Sequence, residues 1–377
     1  MVGNVIDGEL TAAPTVLRGV HYAVATARDE AAIRRLLHEN PMRGAISLSF
    51  EREPDYFHGA QLGGANEQTI VAYDQGRLVC MGRCTTRSGW INGQPRRIAY
   101  LGELRLDATA RGRLSILRDG YAFFRSLQAN APADFYFTSI AADNAPASRL
   151  LERGVAGLPR YSFLTEFVTL VIPVRRAMPR AVPPTATATY PELAEFLNAE
   201  GQRAQLAALW DEASLRALEA HGLQREDFKV IRKSGRIVAA AALWDQRTFR
   251  QIVIRGYAPL LVGARPLVNL AARVWGAPTL PAIGSILAHA FVSPLATAPD
   301  YESTLPALID ALAYDATQRG LSFLTLGFAV DDPRLPLIRR RFSARTYTSR
   351  LYHVAWPDEP VSPDLDARRI GPDLAFL

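Results

Sequence analysis

Residues 100–117, YLGELRLDATARGRLSIL, carry the group of side chains whose types and order could best do chemistry. A β-rich run leads into a short loop with Arg111, Gly112 and Arg113, and the loop leads into an amphipathic pattern. The first turn of a helix has unpaired N–H groups and a partial positive charge. Two guanidinium groups around a glycine, which lets backbone approach a ligand closely, make such a turn a site for phosphate or pyrophosphate. The same residues also suit an ordinary strand-to-helix turn whose arginines are solvated. Other chemistries find less support. The six histidines (21, 38, 58, 221, 289, 353) form no H-x-x-x-H or Cys/His cluster, which argues against zinc, and neither a G-x-S-x-G nor a Walker-type loop occurs. Cys80 and Cys84 fall in one strand-like run, where positions four apart lie about 13 Å apart, beyond the roughly 7 Å reach of a disulfide. Both are expected to be buried thiols.

The elements that must position this turn follow from periodicity. HYAVATA (21–27) alternates, and RDEAAIRRLLHEN (28–40) reads as a helix closed by Pro41. Residues 68–88 form two β-rich runs around Asp74-Gln75-Gly76, a hairpin signal, and a third run spans 96–106. Residues 113–129 place Leu114, Leu117, Tyr121, Phe124 and Leu127 three and four apart, a helix despite Gly120. A strand at 134–140, a helix from about Asn144, and two strand-like runs in 161–173 follow. Residues 174–184, VRRAMPRAVPP, read as a linker. Beyond them the order begins again: a helix over 189–210, a hairpin around Ser234-Gly235, a strand SILAHAFV (285–292), a helix over 302–320, a strand over 321–328, a helix at 334–342 and a final strand over 347–356. Phe135 and Ser322, at equivalent points of the two central strands, lie 187 residues apart. The expectation is a mixed-sheet α/β domain used twice.

Composition sets the outer bounds. The chain has 377 residues, 49% hydrophobic and 21% charged, with 26 Gly and 25 Pro, which excludes disordered, collagenous and disulfide-scaffold classes and suggests two domains. The net charge of +6 invites a nucleic-acid reading, but lysine occurs only at 229 and 233 and the arginines are scattered. Arg339-Arg340-Arg341 reads as the solvated end of a helix, and no nucleic-acid partner is expected. The uncharged stretch 274–299 is broken by Gly and Pro and is not read as a membrane span. The first residues lack the pattern of a signal peptide, so a cytoplasmic location is the default expectation.

At LRLDATARGR followed by a helix, and at N-A-P-A-S-R-L-L-E (144–152), the chain resembles the GNAT superfamily of acyl-CoA-dependent N-acyltransferases. The resemblance covers 20–177 by motif and 185–357 by element order. It implies a tandem duplication of that fold: an acyl-CoA-binding first domain (1–177), a linker (178–184), a degenerate second domain (185–357) and a tail (358–377). It implies that Leu104, Arg105 and Leu106 run along the pantetheine, that Arg111, Gly112, Arg113, Leu114 and Ser115 surround the pyrophosphate, and that Asn144 is the second motif's asparagine. Glu103, on the strand beside the thioester, is the implied general base, and Tyr161 and Tyr136 are candidate acids. Two departures stand out: Leu114 occupies the place of a glycine, and Leu151 occupies the place where many members carry a tyrosine that protonates the thiolate. In the second half the loop VSPLATAPDYESTLPAL puts Asp300 and Glu302 where a phosphate would meet the helix, so that half is not expected to bind the cofactor.

The activity so implied is transfer of an acyl group, expected to be acetyl from acetyl-CoA, to a small-molecule amine or a peptide N-terminus, with no metal. Two other readings stay open: a tandem-domain transferase that takes its acyl group from aminoacyl-tRNA, and a non-catalytic acyl-CoA-binding module. The segments Glu51-Arg52-Glu53 and Asp55-Tyr56-Phe57-His58 lie where an acceptor loop is expected. Oligomeric state is not legible.

Overall fold

The computed structural model describes residues 14–42, 44–62, 65–174, 183–274, 279–356 and 363–377. The first half contains β1 (Thr15–Leu17), β2 (Val20–Val24), α1 (Glu30–Glu39), β3 (Ile46–Glu51), β4 (Asn66–Asp74), β5 (Arg77–Ile91), β6 (Gln94–Leu106), α2 (Leu114–Gln128), β7 (Phe135–Ala141), α3 (Ala145–Glu152) and β8 (Arg160–Pro173). The second contains α4 (Tyr190–Gly201), β9 (Ala204–Gln205), α5 (Glu212–Ala217), β10 (Phe228–Lys233), β11 (Arg236–Trp244), β12 (Gln251–Tyr257), α6 (Pro259–Val274), β13 (His289–Thr297), α7 (Leu305–Gln318), β14 (Phe323–Ala329), α8 (Arg334–Arg341), β15 (Arg345–Ala355) and β16 (Arg369–Ile370).

Twelve of these strands form one mixed sheet in the order β1-β2-β4-β5-β6-β7-β15-β8-β14-β13-β11-β10. The halves exchange their last strands: β15 pairs with β7 of the first half, and β8 pairs with β14 of the second. The division near residue 180 therefore separates the sequence but not the sheet. The linker's residues 178–182 lie outside the described residues. Residues 363–377, the described part of the expected tail, are packed in, with β16 against β9 and Phe376 buried beside Trp210 and Trp244.

Alternation along β5 divides the first half's core in two. Cys80 joins Val20, Tyr22, Ala72, Ile116 and Leu117 under α2, while Met81 joins Ile33, Leu36, Leu37 and Tyr56 under α1. In the second half α7 packs Leu305, Leu308, Ile309 and Leu312 onto β11, β13 and β14, and onto Leu170 and Ile172 of β8.

The structure departs from the sequence expectation at several boundaries. The helix expected over 189–210 ends at Gly201, because Gln202 and Arg203 turn the chain into β9. The two runs in 161–173 form one strand, β8. SILAHAFV is strand only from His289, and the strand continues to Thr297. β12 and α6 arise from a stretch to which no element was assigned. β12 pairs with β3, Gln251 opposite Glu51 and Tyr257 opposite Ile46, a contact between halves invisible to local patterning.

Candidate functional site

β6 and β7 run parallel only from Ile98↔Phe135 to Leu101↔Thr138. Past Leu101 the strands separate, and from Gly102 onward the β7-facing edge of β6 has no strand partner. The other edge of β6 stays paired to β5 with a bulge: Arg83 faces Gly102 and Met81 faces Arg105, so Glu103 and Leu104 both stand opposite Gly82. Glu103 sits there at φ +51°, a conformation uncommon for a residue with a Cβ. The extra residue re-aims side chains at this point, as bulges beside functional sites do. Periodicity alone read 96–106 as a regular strand and gave no sign of it.

A cavity of about 390 Å³ fills the gap and passes through the sheet. On one face it is lined by Ile116, Leu117, Gly120, Tyr121 and Phe124 of α2 and by Asn144, Ala147 and Leu151 around α3. On the other face it reaches Phe50, Arg83, Arg250, Tyr347 and Leu377. Of the residues singled out from sequence, Glu103, Leu104, Arg105, Asn144 and Tyr161 line this cavity. Leu106 packs into the core under α2 instead.

Glu103 is part of a buried network of charges. The side chains of Arg52, Arg83 and Glu67 are at most 4% exposed, and that of Glu103 is 15% exposed. Arg52 donates through Nε to Glu103 Oε1 at 3.1 Å and through Nη1 to Glu67 Oε1 at 3.0 Å. Arg83 Nη1 donates to Glu67 Oε2 at 2.7 Å, and its Nε lies 3.5 Å from Glu103 Oε1. Tyr56 donates its hydroxyl to Glu103 Oε2 at 3.1 Å. Burial opposes ionisation of Glu103, but Arg52 and Arg83 outweigh it and hold the carboxyl well below the usual range. Arg250 completes the cationic wall. Burial, with Arg83 and Arg52 adding to it, lowers its guanidinium to about 9, and it donates to the main-chain oxygens of Ala375 and Leu377 at 2.7 and 2.8 Å.

The Glu51–Phe57 segment serves this scaffold. Glu51 accepts from Arg255 Nε at 2.9 Å, Arg52 anchors Glu103, Glu53 pairs with Arg34, and Tyr56 is fully buried. On the α2 side the hydroxyls of Tyr121 and Tyr161 bond each other. Burial pushes Tyr121 up to about 12, and burial with the neighbouring Tyr121 raises Tyr161 further, so both are neutral phenols. Tyr136 is buried against Phe124 and Trp356, and its hydroxyl accepts from Ala133 N at 3.0 Å.

The arginine turn lies beyond the cavity. Gly112 adopts φ +84° with open space where a Cβ would point, so close backbone approach is sterically free. Leu114 and Ser115 open α2. Arg113 is ion-paired to Asp74, and Arg111 Nη2 donates to Asn40 Oδ1 at 3.3 Å. Asn144 caps α3, its Oδ1 accepting from Ala147 N at 3.3 Å. Both cysteines are buried free thiols, and no metal-holding group occurs among the described residues. Arg83, Arg250, Tyr121 and Gly120 were not singled out for the site, and Arg52 was named only within an expected acceptor loop, because these residues come from elements as far as 198 residues apart that only the fold assembles.

No family model matches the chain, and no curated protein matches it in sequence. Its fold does match solved structures. A GCN5-related N-acetyltransferase from Sphaerobacter thermophilus aligns at TM-score 0.55 and 13% identity, over 93% of this chain and all of that one. Saccharomyces cerevisiae N-myristoyltransferase with bound myristoyl-CoA aligns at TM-score 0.58 and 10% identity, over 96% of this chain and 84% of that one. A tandem GNAT protein from the clavulanic acid biosynthesis pathway aligns at TM-score 0.54 and 12% identity, over 90% of this chain and all of that one. The chain thus has the tandem GNAT fold, a mixed α/β sheet built from two such halves.

Proposed function

We propose that the protein is an N-acyltransferase that moves an acyl group from a coenzyme A thioester to a primary amine of a small molecule or a peptide N-terminus. The observation that carries this is the gap past Leu101 and Thr138, with its cavity running through the sheet from α2 to the face of Glu103. The unpaired edge of β6 at Glu103–Leu106 suits the amide groups of pantetheine, and the turn Arg111–Ser115 suits the pyrophosphate. Arg113 would exchange Asp74 for phosphate. Asn144 would border the pantetheine. Structural neighbours of the same fold that act on acyl-CoA support the donor class.

In the reaction the acceptor's ammonium loses one proton, its nitrogen bonds to the thioester carbonyl carbon, the C–S bond breaks, and the second proton lost from the nitrogen balances the one the departing thiolate takes up. Glu103 is the proposed acceptor-side group. It is ionised throughout the physiological range, attracts the ammonium, and passes the proton on through water, since so acidic a carboxyl is a weak base on its own. Tyr161, neutral and bonded to Tyr121, is the proposed donor toward the leaving sulfur. No metal enters the scheme.

The test measures coenzyme A binding by calorimetry and thiol release with a panel of amines and peptides. Wild type should bind, and Arg111→Ala/Arg113→Ala should weaken binding about tenfold or more, through loss of charge-assisted phosphate contacts. Failure of any coenzyme A thioester to bind wild type overturns the reading. Binding without turnover on any acceptor points to the non-catalytic module.

A further inference from the structure

We infer that the donor carries a long aliphatic acyl chain, held in a chamber between α2 and the sheet; this rests on the N-acyltransferase reading above. The cavity does not stop at the gap between β6 and β7. It continues beneath β2, β4 and β5, where Tyr22, Ala72 and Cys80 face Ile116, Gly120 and Phe124 of α2. Tyr22, Ala72, Cys80 and Ile116 belong to one core cluster of the first half and Phe124 to the next, and a core at ordinary density leaves no such space.

Two features make the chamber a built site. Gly120 stands inside α2, where alanine would favour the helix, and a Cβ there would meet only the Tyr22 ring at 3.7 Å. The missing side chain keeps space open that any larger residue would enter. The walls are also dry. The Tyr22 hydroxyl donates to Ile116 O at 3.3 Å and the Cys80 thiol faces Met81 O at 3.9 Å. None of the buried side-chain polar atoms left unpartnered among the described residues belongs to these walls. An apolar space without free polar groups does not hold ordered water and favours an apolar ligand. Its opening at Leu104 and Tyr121, beside the proposed thioester position, selects the acyl chain of the donor as the occupant.

The test compares acetyl-, octanoyl- and dodecanoyl-CoA by calorimetry on wild type, Gly120→Ala and Gly120→Leu. Wild type should bind dodecanoyl-CoA at least about tenfold more tightly than acetyl-CoA, because each buried methylene adds affinity. Gly120→Ala, whose methyl fits, controls for helix stability and should keep the preference. Gly120→Leu should shrink it to about threefold or less while acetyl-CoA affinity holds, the lost methylene burial accounting for the change. If Gly120→Leu does not fold, Cys80→Leu makes the same comparison. Equal binding of acetyl- and dodecanoyl-CoA to wild type, or an undiminished preference in the filled variant, overturns the chain-length inference alone. Absence of binding by all three overturns the transferase reading with it.

Discussion

The two halves build the same gap and treat it oppositely. In the first, β6 and β7 part after Leu101↔Thr138; in the second, β13 and β14 part after Phe291↔Thr325. Each has a bulge on the strand before the gap, with Glu103 and Leu104 opposite Gly82, and Ser293 and Pro294 opposite Ala242. The first gap is a through-cavity beside a buried charge network. The second is filled by the chain's own residues 369–374, leaving about 80 Å³. Ser293, the counterpart of Glu103, donates to Asp373 Oδ1 at 2.5 Å, and Leu374 sits against Gly327. A gap in a parallel pair must be occupied, because unpaired strand edges and apolar walls are costly when left bare. One half fills it with polypeptide, and the other keeps an open cavity. The acids Asp300 and Glu302 ahead of α7 agree with that division.

The largest effect that would test this contrast is at the charge network. Arg52→Met should destabilise the protein by about 3–5 kcal/mol in urea unfolding, since it leaves Arg83 as the one close cation for two buried carboxylates, Glu67 and Glu103. Ser293→Ala, at the counterpart of Glu103, should cost only about 1–2 kcal/mol, the loss of one hydrogen bond to Asp373. Equal costs would mean that the two bulges are held by the same kind of interaction. Next is Gly327→Ala. Its Cβ would fall 2.4 Å from the ring of fully buried Phe167, so overpacking should cost about 1–3 kcal/mol while acyl-CoA affinity is unchanged. The counterpart, Ile140, lines the open cavity, and Ile140→Met should cost less than about 1.5 kcal/mol.

The smallest effect concerns pH. His289 opens the second parallel pair at the position where the first half has Ala99, and burial lowers it to about 4. The unfolded chain takes up this proton near its ordinary value of 6.5, before the folded chain does. The contribution is therefore whole above pH 6.5 and is lost as pH falls toward 4, by at most about 1.4 kcal/mol per pH unit. Thermal unfolding across that window should show this slope in wild type and not in His289→Gln.

Much of the architecture was legible because it rests on local pattern. The Asp74-Gln75-Gly76 and Ser234-Gly235 turns lie between β4 and β5 and between β10 and β11, the expected apolar face of α2 buries Leu117 and Phe124, and the repeat offset of 187 separates Thr138 from Thr325. Glu103, Arg105 and Asn144, which line the cavity, were named as site candidates through the resemblance of their two motifs to a known family and not through spacing. The partners of Glu103 were not, since ion pairing between residues 51 apart depends on two strands being brought over one another.

What the sequence determined by itself is most of the elements, their repetition and the basic turn at Arg111–Arg113, all products of spacing within a few residues. The tertiary structure decided the exchange of β8 and β15, the placement of the C-terminal segment in the second gap and the chamber under Gly120. Those depend on which distant surfaces meet and how fully they pack, and one-dimensional periodicity carries no record of either.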